Sequence, residues 1–70
     1  MKIGDLVEPK KPASYRYPDA IVVSLNPFVL VSWDADMIWK NEKIEDFNVK
    51  RKAPSDIFTR CMTRFKEEEI

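Results

Sequence analysis

Hydrophobic and polar positions alternate with a period of two in short runs as far as Arg51 and follow a period near 3.6 from Ile57 onward. Period two marks strands, because successive side chains of an extended chain point to opposite faces. Ile3 to Glu8 reads as a first strand, with Ile3, Asp5 and Val7 on one face and Gly4, Leu6 and Glu8 on the other. Pro9, Pro12 and Pro18 then bracket a long connection, since proline donates nothing to a sheet ladder. Ala20 to Leu25, rich in β-branched residues, is the second strand. Asn26-Pro27 is turn chemistry, Phe28 to Trp33 a third strand, Asp34-Ala35-Asp36 a polar turn, and Met37 to Lys40 a short fourth strand. Ile44 and Phe47, three apart, suit a 3₁₀ or α turn that tucks both under the sheet, and Asn48 to Arg51 follows as a fifth strand.

Ala53-Pro54 breaks the alternation. Beyond it Ile57, Phe58, Cys61, Met62 and Phe65 fall on one side of a helical wheel, which predicts an amphipathic helix over residues 55–67. Ser55 is its expected N-cap, with Asp56 well placed in the first turn. Arg64 and Glu68 stand one turn apart, with the acid in the weaker, C-terminal position.

The central strands have no fully polar face. Ile21, Val23 and Leu25 oppose Ala20, Val22 and Ser24, and Val29, Val31 and Trp33 oppose Phe28, Leu30 and Ser32. A sheet with one wet face would alternate more cleanly, so something covers the second face. The helix is the nearest candidate, with Leu6, Val22, Leu30 and Trp39 as expected partners of Phe58, Met62 and Phe65. The alternative is that the helix projects and the apolar face meets another subunit, which leaves a homo-oligomer open.

Composition narrows the chemistry. Seventy residues allow one small domain, read as residues 1–52 plus a helical segment over 53–70. There is no His, one Cys and one Gly. These counts remove disulfide frameworks, multi-cysteine zinc modules, the commonest general base, and the glycine-rich phosphate loops. No apolar leader follows Met1, and the longest apolar stretch, Phe28 to Val31, is far too short to cross a membrane. The expected location is the cytoplasm, with no membrane contact and no cofactor.

The net charge is zero, but it is segregated. Residues 34–47 carry −3, residues 48–66 carry +5, and Glu67 to Glu69 add −3.

Lys2-Ile3-Gly4-Asp5-Leu6-Val7, Ile21-Val22-Val23, Val29-Leu30-Val31-Ser32-Trp33-Asp34, Trp39 and Glu45-Asp46-Phe47 together resemble small SH3-like barrel proteins of the kind encoded by tailed bacteriophages. The resemblance spans residues 2–50 and implies a mainly β fold, a bent five-stranded barrel with a 3₁₀ turn before its last strand. Residues 55–70 lie outside it. Related sequences place Gly in the turn after the acidic residue, whereas here the turn is Asp34-Ala35-Asp36. If phage-encoded, the protein would act in the host cytoplasm or in the virion. Fold alone fixes no activity.

Four constellations carry candidate chemistry. Tyr15, Arg16, Tyr17, Asp34, Asp36 and Trp39 form a candidate surface for a protein partner, with an aromatic wall (Trp33 included) and an acidic rim. Lys50, Arg51, Lys52, Arg60 and Arg64 form a candidate track for a nucleic-acid backbone. Against the second, the glycine-rich turn of nucleic-acid-binding KOW-type barrels is missing. The acids Asp34, Asp36, Glu42, Glu45 and Asp46 lack calcium-loop spacing, so no metal site is expected. Cys61 lies on the apolar helix face with no His to activate it, which reads as a structural thiol. The leading expectation is a non-enzymatic protein-interaction module, and the alternative is a nucleic-acid or transcription-complex binder.

Overall fold

The structure, a computed structural model, describes residues 1–10 and 19–68. It is mainly β: strands β1 (Asp5–Pro9), β2 (Ala20–Leu25), β3 (Phe28–Ser32), β4 (Ile38–Trp39) and β5 (Phe47–Lys52), followed by helix α1 (Ser55–Glu68). A 3₁₀ turn at Ile44–Asp46 precedes β5, where a turn was expected. The strands form one antiparallel sheet in the order β4-β3-β2-β1-β5. The sheet is open, with β4 and β5 as its edges, so the closed barrel expected above is not formed among the described residues.

Each face of the sheet has its own buried cluster. On one face Leu6, Ile21, Val23, Val29 and Val31 pack with Ala53, Ile57 and Cys61, with Phe58, Met62 and Phe65 at the margin. The helix therefore docks on β2 and β3 of its own chain. The other face gathers Val7, Ala20, Val22, Phe28, Leu30 and Phe47, with Leu25 and Trp39 beside them. Of the expected helix partners Leu6 is correct, whereas Val22, Leu30 and Trp39 point to the opposite face. Strand alternation is the reason, since Leu6, Ile21, Val29 and Val31 share one face and their neighbours must take the other.

Two irregularities shape the sheet. Val22 pairs with Leu30 but Ser24 with Val29, which leaves Val23 as an extra residue in β2. Leu6 pairs with Arg51 but Val7 with Val49, which leaves Lys50 extra in β5. Bulges of this kind bend a strand and sharpen its twist. The first also resets the alternation, and Leu25 joins the face of Val22 instead of that of Ile21 and Val23.

Other local expectations shift slightly. Pro54 C=O accepts the Phe58 N–H at 2.9 Å, so the helix is capped one residue earlier than Ser55. Phe47 is buried as expected, but Ile44 is 42% exposed, so the 3₁₀ turn tucks in only one of its two apolar residues. Gly4 adopts φ +98°, a left-handed conformation open to glycine at little cost, and the chain leaves it into β1.

Candidate functional site

Ser32 organises the turn that joins β3 to β4. Its side chain is buried at the end of β3, and its Oγ accepts the Asp36 N–H at 3.0 Å and the Met37 N–H at 3.1 Å. Its backbone N–H donates to Met37 C=O, and its C=O accepts the Ala35 N–H at 2.8 Å. Cys61 Sγ–H donates to the same carbonyl at 3.3 Å, linking the turn to the helix. Burial pushes the Cys61 thiol up to about 11, the nearby Arg60 opposing only in part, so it stays protonated and unreactive at neutral pH.

Held this way, the turn runs between Arg51 of β5 and the Arg60 and Arg64 pair of the helix. On one side Asp19, Trp33, Asp34 and Arg51 line a shallow depression of about 380 Å³. On the other Ala35, Arg60, Thr63, Arg64 and Glu67 line a depression of about 310 Å³ against the helix. Asp34 and Asp36 are exposed on the turn, and Trp33 is half-buried beside them. Ala35 sits at φ 61° with its methyl group packed toward the helix-side core.

The basic residues are less free than their number suggests. Lys50 Nζ reaches Asp19 Oδ2 at 3.2 Å across β1, and Arg64 Nη2 reaches Glu68 Oε1 at 3.2 Å. Arg64 Nε has no hydrogen-bond partner. Lys50, Arg51 and Lys52 are exposed on β5, while Arg60 and Arg64 belong to the separate groove along the helix. The structure thus splits the proposed phosphate track with the acidic turn between its two halves.

The partner-binding set is also divided. Tyr15, Arg16 and Tyr17 lie outside the described residues. Asp34 and Asp36 share the turn, but Trp39 packs with the opposite cluster, so Trp33 and Trp39 flank different faces and build no common wall. Sequence reading missed Asp19, and it missed that Arg51 belongs with Asp34. Asp19 reaches the site because its C=O accepts the Trp33 N–H at 2.9 Å. A hairpin in continuous register from the Asn26-Pro27 turn would pair Trp33 with Ala20; the extra Val23 moves it to Asp19.

Among the described residues no group of His, Cys, Asp and Glu is placed to hold a metal ion, and no helix is long and apolar enough to cross a membrane. Compared with protein-family models, curated proteins and solved structures, the chain matches none.

Proposed function

We propose that the chain is a small non-enzymatic protein-interaction module, an SH3-like curled sheet of the phage accessory or virion-associated kind, whose contact surface is the Trp33–Asp36 turn and the grooves on either side of it. The observation that carries this reading is the juxtaposition of a half-buried indole, exposed carboxylates and three guanidinium groups around one braced turn. Aromatic residues and arginine are the side chains that most often dominate protein contacts. Charges of both signs in one patch favour a partner with a matching mixed pattern over a uniform polyanion. Support for the SH3-like reading comes from the strand order and from the 3₁₀ turn before β5.

Nucleic-acid binding is the weaker reading. A phosphate backbone following Arg51 to Arg60 would pass Asp34 and Asp36, and Lys50 and Arg64 already have acidic neighbours. Titration with single- and double-stranded DNA at two salt concentrations separates the readings. The interaction module gives no binding at low salt, whereas a phosphate binder gives binding that falls steeply with salt.

A further inference from the structure

The two flanks of α1 differ in kind. Ile57 and Cys61, one turn apart, are buried against the sheet. Arg60, Arg64 and Glu67 follow at i, i+4 and i+7 along one flank, in the groove beside Ala35. Phe58, Met62 and Phe65 repeat that spacing along the other flank. These three pack at the margin of the core and are only half-buried, so their outer sides meet water. The Phe58 ring lies over Gly4, 3.9 Å from where a Cβ would stand there. In the segment leading to Gly4, Ile3 is 51% and Met1 37% exposed. An apolar ridge therefore runs from the N-terminal segment along one side of the helix.

The ridge is its own complement. Its order, Phe, Met, Phe, reads the same in both directions. A twofold axis near Met62 sets Phe58 of one copy on Phe65 of the other and the two Met62 side chains side by side, as in antiparallel helix packing. Charge agrees with this pairing. Lys66 borders the ridge, and the twofold brings it level with Asp56 of the second copy, on the same side of the seam. Glu68, which opposes the dipole of its own helix, comes level with Ser55 at the other helix's N-terminal end, where negative charge is favoured. Glu67 stays clear of Asp56 because it lies in the groove on the far flank. The net charge of zero adds no general repulsion between copies, and a strongly charged partner finds no counter-charge on the ridge itself. We infer that Phe58, Met62 and Phe65, extended by Ile3, form a self-association face through which two copies of the chain pair with their helices antiparallel. The Trp33–Asp36 turn and the groove of Arg60 and Arg64 stay open on the opposite flank, so this pairing and the proposed contact surface can each fail without the other.

Sedimentation equilibrium of the full chain, from about 1 μM to about 1 mM, tests the pairing. The expected result is a monomer–dimer equilibrium within that range. Met62→Asp sets a carboxylate at the centre of the seam and weakens the dimer by about tenfold or more, whereas Met62→Leu keeps it. Arg60→Glu, on the opposite flank, leaves the dissociation constant unchanged. In a Cys61→Ala background, Met62→Cys gives a disulfide-linked dimer on mild oxidation, and Thr63→Cys, which faces the other groove, does not. Circular dichroism and urea midpoints close to those of the parent show that the variants are folded; should Met62→Asp unfold, the two cysteine variants decide. Four results overturn the inference: a chain that stays monomeric to millimolar concentration, a dimer left intact by folded Met62→Asp, cross-linking from Thr63→Cys in place of Met62→Cys, or a monomer that binds phosphatidylcholine vesicles through this ridge.

Discussion

The rings of Phe28 and Phe47 lie 6.1 Å apart, inclined at 60°, although β2 and β1 separate their strands. In a flat sheet three strand spacings of about 4.8 Å would hold β3 and β5 about 14 Å apart. The contact therefore measures how far the sheet curls around the cluster of Val7, Val22 and Leu30. Replacing either ring with leucine keeps an apolar side chain but removes the aromatic pair. Phe28→Leu and Phe47→Leu are each expected to cost about 1 kcal/mol. Their coupling in a double-mutant cycle should be about 0.5–1.5 kcal/mol, read from urea unfolding. Strict additivity would mean that the curl does not depend on this contact.

Ser32 is the residue whose loss should disturb the turn most. Ser32→Ala removes the acceptor of the Asp36 and Met37 amides at a buried position. Leaving such donors unpaired costs about 1–3 kcal/mol. The accompanying sign is amide exchange at Asp36 and Met37 that speeds up by more than that of the core strand β1, whose exchange follows only the global loss of stability.

Ala35 holds a left-handed φ of 61° without being glycine. That conformation costs an ordinary residue about 1–2 kcal/mol, offset here by its methyl contact with the helix-side core. Ala35→Gly is expected to leave stability level or raise it by about 0.5 kcal/mol, and the β-branched Ala35→Val to lower it by more than about 1 kcal/mol. Thermal melts should rank the three Gly, Ala, Val, and a Val variant as stable as the parent would refute the strained turn.

The Cys61 thiol gives a pH signature. Its pKa is raised from 9.0 to about 11 on folding, so between these values the unfolded chain has lost the proton and the folded chain keeps it. The unfolded state then binds fewer protons, and stability falls as pH rises through this window. Unfolding at pH 8 and pH 10.5 should show a larger loss for the parent than for Cys61→Ala. In the native state at pH 8, a thiol reagent should react no faster than the protein opens.

Much of this architecture was legible in the chain. Alternation located the strands to within about two residues, a margin ordinary at element ends, and the change of period located the helix. Ile57, Cys61 and Phe65 pointed to the docked face. What was not legible follows from the two bulges. Nothing in Val22-Val23-Ser24 announces an extra residue, yet it flips Leu25 and brings Asp19 to Trp33. Lys50 read as one cation of a phosphate track, and only the register of β5 shows it to be the extra residue, turned toward Asp19. Grouping by sequence proximity therefore joined Lys50 and Arg51 to Arg60 and Arg64, whereas the fold sets the acidic turn between them. The same grouping joined Trp33 to Trp39, which the alternation along β3 and β4 sends to opposite faces.

The central claim is that the Trp33–Asp36 turn is the contact surface, and site-specific photo-crosslinking in the producing cell tests it most directly. A photoreactive residue replaces Asp34 in one variant and Asn26, exposed at the opposite end of β3, in the other. The account predicts one discrete protein adduct from position 34, none from position 26, and loss of that adduct when Arg51→Glu and Arg60→Glu are added. Equal labelling from both positions, or a position-34 adduct indifferent to the two charge reversals, would contradict it.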